Sequence, residues 1–287
     1  APPSVGAPPP RPIGSPGMAP GTEITTETVE LGDIPYAYLA AGEPDAPLAL
    51  CVHGFPDTPN GWRPLLAALA ADGHRAVAPW MRGYAPASVP DDGLSALGSW
   101  IADADAFHGR FGGDRPGVLI GHDWGALTSY GAASFAPDRW RKVVAASVPP
   151  PAVMASRLTD YDQVKAFWYQ YVFLQPSAES IVAADDFRFI ERLWADWSPG
   201  HDATEDLVAV KEALSGPGHL SAVLSTYRCL YDLSLQPPEV MGHAAAMLMP
   251  HPQPTLYLHG ADDGCVPAAG VVEATAAVLP EGSRADL

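Results

Sequence analysis

Five short, mostly apolar runs recur along this chain: LALCVHG at 48–54, HRAVAPW at 74–80, GVLIGHD at 117–123, KVVAASV at 142–148 and PTLYLHG at 254–260. A strand buried on both faces reads this way, because it has no solvent side on which to place alternate polar residues. The segments between the earlier runs read as helices, at about 59–71, 95–111 and 124–135. In the second of these, Leu97, Ile101, Ala104, Phe107 and Phe111 recur at helical spacing with acids between them. Buried strands alternating with amphipathic helices predict an α/β fold, a mostly parallel sheet with helices on both faces. ITTETVEL at 24–31 and IPYAYLAAG at 34–42 read as two paired strands ahead of that sheet. One more helix is expected over about 266–279.

The pattern breaks between 149 and 248. This stretch opens with Pro149, Pro150 and Pro151, is rich in aromatics, and has no buried-strand signature. It predicts a helical cap inserted over the carboxyl ends of the strands, where open α/β sheets bind ligands. The expected organisation is therefore a proline-rich tail at 1–22, a core domain at 23–148, the cap at 149–248, and the rest of the core at 249–287. A 287-residue chain with 47% hydrophobic residues can bury a core of that size. Its formal charge of −17 repels phosphate backbones, which argues against nucleic-acid and anionic-membrane partners. Three scattered cysteines make neither a disulfide scaffold nor a zinc site, so no metal is expected. No apolar run approaches the ~18 residues of a membrane span, and no secretory signal is visible. The expectation is a soluble, cytoplasmic protein, with a homodimer left open.

The chemistry concentrates at Gly121-His122-Asp123-Trp124-Gly125-Ala126, where a buried strand ends and a helix begins. Small residues flank a central carboxylate, as a nucleophile elbow requires, because a tight strand-to-helix turn leaves no room for side chains beside the nucleophile. A plain helix N-cap is the alternative for Asp123. His53-Gly54-Phe55-Pro56 closes the third strand. In this arrangement the loop after that strand and the residue after the nucleophile each supply one oxyanion-hole N–H, which nominates the amides of Phe55 and Trp124. Asp123 is then expected at positive φ. His53 reads as a loop-fixing residue and His122 as a packing one.

With these motifs, residues 24–287 resemble the α/β-hydrolase family, and within it the epoxide hydrolases. HGFP is similar to the family's His-Gly-X-Pro loop, whose Phe55–Pro56 peptide is then expected to be cis. GHDWGA is similar to its aspartate-bearing elbow, and RGYAPAS at 82–88 to its Arg-Gly-Tyr segment. Asp263 sits where the family keeps the acid that orients a histidine, with Asp262 as the neighbouring alternative. Trp168-Tyr169-Gln170-Tyr171 and Thr226-Tyr227-Arg228 resemble the two tyrosine segments of the mammalian soluble epoxide hydrolase cap, with Tyr171 a rival to Tyr169.

The resemblance implies a cofactor-free hydrolase. Asp123 attacks an epoxide carbon, Tyr169 and Tyr227 hold the oxygen, and water activated by a histidine cleaves the ester. Phe55, Trp124 and Trp168 would contact a small apolar epoxide. The implied alternatives are a dehalogenase with the same aspartyl nucleophile and a non-catalytic ligand-binding homologue. No histidine follows Asp263. The chain is therefore expected to be cut before its last strand, histidine base and final helix, with 281–287 as the connection into that strand; a natural loss of the histidine is the other reading.

Overall fold

A computed structural model describes residues 22–32 and 34–287; the proline-rich stretch read as a tail lies outside the described residues except for Thr22. Eight strands form one sheet: β1 (Thr25–Leu31), β2 (Ile34–Ala41), β3 (Leu48–Val52), β4 (Arg75–Pro79), β5 (Gly117–His122), β6 (Trp140–Ala146), β7 (Thr255–Leu258) and β8 (Arg284–Asp286). Their spatial order is β1-β2-β4-β3-β5-β6-β7-β8. β1 pairs antiparallel with β2, and β2 with β4; every later pairing is parallel. The expected α/β architecture is therefore the observed one. The central strands β3 and β4 are buried at every position, which accounts for their unbroken apolar runs.

Helices α1 (Arg63–Ala71), α2 (Leu97–Phe111) and α3 (Trp124–Phe135) fill the early connections. The apolar stripe of α2 places Trp100, Ile101, Ala104 and Phe107 in the core, each at most 1% exposed. Burying one such large side chain contributes about 1.5–3 kcal/mol. Arg82, from the Arg-Gly-Tyr segment, forms a two-pronged ion pair with the Asp103 carboxylate on α2. That pairing ties the loop after β4 to the helix beneath it.

Between β6 and β7 the chain runs through the helical segments α4 (Pro151–Arg157), α5 (Tyr161–Ala166), α6 (Trp168–Phe173), α7 (Ala178–Trp197, broken by non-helical backbone from Ala184 to Phe187), α8 (Thr204–Ser215), α9 (His219–Tyr231) and α10 (Met241–Ala246). No helix among the described residues is long and apolar enough to cross a membrane.

Two expectations near the end need correction. Arg284–Asp286, within the stretch read as a connection, is itself the eighth strand, with Leu256 opposite Arg284 and Leu258 opposite Asp286. One alanine between two charged residues carries no apolar pattern, and the free edge of β7 defines the strand instead. The helix expected over 266–279 is confined to α11 (Val271–Ala276). Gly270 precedes it at φ +70°, a left-handed turn that a longer helix could not contain.

Candidate active site

Asp123 follows β5 directly and stands just before α3, at φ +56° and ψ −120°. A non-glycine residue there is strained, and it persists because the surrounding backbone determines it. A side chain on Gly125 would run into the Val52 carbonyl, and one on Gly121 into the Gly125 carbonyl. The two flanking glycines therefore let β5 turn into α3 against β3. Asp123 consequently sits at the tip of the turn, with its carboxylate directed toward the next loop.

That loop is His53–Pro56. The Phe55–Pro56 peptide is cis. The Phe55 N–H donates to Asp123 Oδ1 at 2.7 Å. The His53 ring is buried and held at both nitrogens, with Nε2 accepting from the Met81 N–H at 3.0 Å and Nδ1 donating to the Gly54 carbonyl at 2.9 Å. Burial pushes its pKa down to about 4, so the ring is neutral and anchors the loop. Burial raises the Asp123 pKa above the ordinary carboxylate value, against the opposing pull of His122 and of the Phe55 and Trp124 amides. The amides nominated for an oxyanion hole thus both lie at this carboxylate.

Two cavities meet at Asp123, and Asp123, Val148, Cys265 and Val266 line both. The first, about 440 Å³, is apolar and lies beneath α4, α6 and α9, lined by Trp124, Met154, Phe167, Tyr169 and Tyr227 among others. The second, about 430 Å³, is lined by Phe55, Asp57, His122, His201 and Asp263, with Trp194 and Trp197 from α7.

Tyr169 and Tyr227 come together at the first cavity, their rings 5.9 Å apart and both fully buried. The Tyr169 hydroxyl lies 3.6 Å from Cys265 Sγ and accepts from Gln170 Nε2 at 3.2 Å. The Tyr227 ring packs on Trp124 and Phe55, at 4.9 and 5.3 Å, and its hydroxyl has no hydrogen-bond partner among the described residues. Burial raises both phenols well above the ordinary tyrosine pKa, so each keeps its proton as a donor. The Trp124 indole N–H is likewise unpartnered.

Trp168 requires correction as a substrate contact. It is 47% exposed, rests against Phe189 and lines neither cavity. On α6, Tyr169 and Phe173 share the inward face at a spacing of four, which turns Trp168 outward. Tyr171, the rival to Tyr169, also faces solvent, against Tyr231.

Asp263 lies in the loop after β7 and lines the second cavity. Its Oδ1 accepts the N–H groups of Cys265 and Val266, each at 2.9 Å. His259 is the one histidine within 4.0 Å of it among the described residues, at 3.9 Å. That ring is buried and already engaged by the Tyr257 hydroxyl and the Val266 carbonyl. Asp57, Cys265 and His201 line the site without having been singled out in the sequence. For the first two the signal was proximity, each two residues from a nominated position.

Residues 47–284 match the family model described as alpha/beta hydrolase fold. The AB hydrolase superfamily protein YfhM of Bacillus subtilis is 30% identical over 217 residues, covering 74% of this chain and 75% of that protein. An epoxide hydrolase of Caballeronia sordidicola is 36% identical over 146 residues, which are 48% of this chain and 43% of its relative. The chain thus aligns with less than half of that protein's length. The crystal structure of an epoxide hydrolase from Vigna radiata superposes with a TM-score of 0.68 at 26% identity, covering 88% of this chain and 84% of that one.

Proposed function

Since this chain belongs to the α/β-hydrolase family, we propose that it opens small apolar epoxides through an ester on Asp123, with the α4–α10 segment acting as a cap over the site. The observation that carries this reading is the placement of one elbow carboxylate at a cavity that two buried phenols also line. An ionised carboxylate needs no base to attack. An Asp123 oxygen bonds to an epoxide carbon, the carbon–oxygen bond of the ring breaks, and the departing oxygen takes a proton from Tyr227 or Tyr169. The product is a hydroxyalkyl ester carrying the whole substrate mass.

In the second half, water attacks the ester carbonyl of Asp123. The resulting oxyanion is held by the Phe55 and Trp124 amides, and its collapse releases the diol. That step needs a base oriented by Asp263, and His259 is committed elsewhere. For these 287 residues ester formation therefore outruns ester hydrolysis.

Dehalogenation by the same aspartate is the second reading, favoured by the unpartnered Trp124 N–H, a group that could hold a halide. The two phenols have no task in that reaction. Incubation with styrene oxide and with 1-chlorohexane, reading adduct mass, diol and chloride, separates the two. An adduct from the epoxide without chloride release from the chloroalkane is expected. Chloride release with no epoxide adduct would overturn the proposal.

A further inference from the structure

The apolar cavity offers two phenols to a substrate oxygen, and their surroundings are unequal. The Tyr227 hydroxyl has no hydrogen-bond partner among the described residues, whereas Tyr169 ends a chain of three side chains that all line this cavity. The half-exposed Tyr231 donates its hydroxyl proton to Gln170 Oε1 at 2.8 Å, and Gln170 Nε2 donates to the Tyr169 hydroxyl at 3.2 Å. Gln170 is buried, so its amide has no water-facing side on which to find other partners. Helical spacing builds the chain. Tyr231 lies four residues beyond Tyr227 on α9 and therefore stands on the same face one turn along, at the rim of the cavity. Its ring packs against Tyr171 of α6, with centroids 6.1 Å apart.

Tyr231 and Tyr169 compete for one acceptor. A phenol has one proton to give, and Gln170 presents a carbonyl at one end of its amide and only donors at the other. Whichever phenol takes the carbonyl, the other must accept from the nitrogen. Tyr231 holds the carbonyl. The Tyr169 proton is thereby left for Cys265 Sγ at 3.6 Å, a weak acceptor, or for a better one, an epoxide oxygen in the cavity. As that proton moves to the epoxide oxygen and the ring carbon–oxygen bond breaks, the O–H electron pair stays on Tyr169 as a phenolate. The Gln170 N–H is already in place and becomes a charge-assisted bond to it. No lysine or arginine lines this cavity among the described residues, so a phenolate on Tyr227 would have no comparable support. Water later returns the proton to Tyr169.

Resting on the epoxide-opening reading above, we infer that Tyr231 is a positioning residue: by occupying the Gln170 carbonyl it makes Tyr169 the proton donor and leaves Tyr227 to hold the substrate oxygen by a hydrogen bond. Without the Tyr231 hydroxyl, Gln170 is free to turn its carbonyl to Tyr169 and take the proton that the epoxide needs.

The test uses the 287-residue protein and styrene oxide. Adduct formation is followed by intact mass, giving the maximal alkylation rate and the half-saturating epoxide concentration. Tyr231→Phe keeps the ring against Tyr171 and should lower the maximal rate about tenfold, the worth of one hydrogen bond. The half-saturating concentration should stay within about twofold, because the lost interaction belongs to the transition state. The same loss is expected when Tyr231→Phe is added to Tyr227→Phe. Added to Tyr169→Phe or to Gln170→Met, it should shrink to less than about twofold, because the proton or the carbonyl in contention is gone. A Tyr231→Phe variant that alkylates like the parent would overturn the inference and leave epoxide opening intact. So would a loss of equal size in the Tyr169→Phe background, the mark of general loosening of the helices. No adduct from the parent protein would overturn both.

Discussion

The elbow and the helical segment above it build one site by opposite means. At the elbow, backbone sets the geometry: Asp123 stands at positive φ, and Gly121 and Gly125 meet neighbouring carbonyls where a side chain would be. In α6 and α9, packing sets it: Tyr169 and Tyr227 are held by edge-on contacts with each other, Phe173, Phe55 and Trp124. A site fixed by backbone tolerates almost no change of residue at its glycines. A site fixed by packing tolerates loss of a hydroxyl without loss of shape. Perturbing each region separately exposes that difference.

The largest effect is expected at the elbow. In Gly125→Ala the new methyl meets the Val52 carbonyl, a backbone atom that cannot yield without moving β3. We expect a loss of several kcal/mol of stability, about 3 or more, seen in denaturant unfolding together with abolished alkylation. A fully stable variant would show that the close approach of α3 to β3 is not required. In the helical segment, Tyr227→Phe and Tyr169→Phe should each retain the folded state and slow epoxide opening by about 10²-fold, the lower range for loss of a general acid. Equal rates for either variant and the parent would remove that hydroxyl from the chemistry.

The pH dependence sharpens the comparison further, and stability and reactivity have opposite signs. Burial raises the folded-state pKa of Asp123, so the folded protein binds its proton more tightly than the unfolded chain does. Its ionised form therefore lowers stability, and that loss grows as pH rises through the unfolded and then the folded pKa. Alkylation needs the ionised form and falls as pH drops through the raised pKa. Asp123→Asn should accordingly be at least as stable as the parent at neutral pH, by thermal unfolding. A clearly less stable Asn variant would contradict this assignment of the shift. The smallest effect belongs to Trp168→Ala, whose side chain stands outside both cavities; alkylation rates should change by less than about threefold.

The two regions also differ in how legible they were in the sequence. The elbow could be read because its signal is local: a buried strand, two glycines at a fixed spacing around Asp123, and a helix start, all within ten residues. The five strands β3 to β7 were legible for the same reason. On α6, by contrast, six residues give too little phase to tell Trp168 from Tyr169, and the inward face is decided by packing against Phe173 and Tyr227. β8 carried no apolar pattern at all, since its pairing comes from the edge of β7. Asp57 and Cys265 enter the site because the cis peptide loop and the Asp263 loop both curl toward Asp123, a convergence of segments more than 200 residues apart.

The central claim is that Asp123 is a nucleophile that forms an ester which these 287 residues do not readily hydrolyse. Intact-mass spectrometry after treatment with styrene oxide, followed by peptide mapping, tests it directly. One added substrate mass, located on Asp123 and lost in Asp123→Asn, with no steady release of diol, is the predicted result. Steady diol production without a detectable adduct, or an adduct that persists in Asp123→Asn, would contradict it.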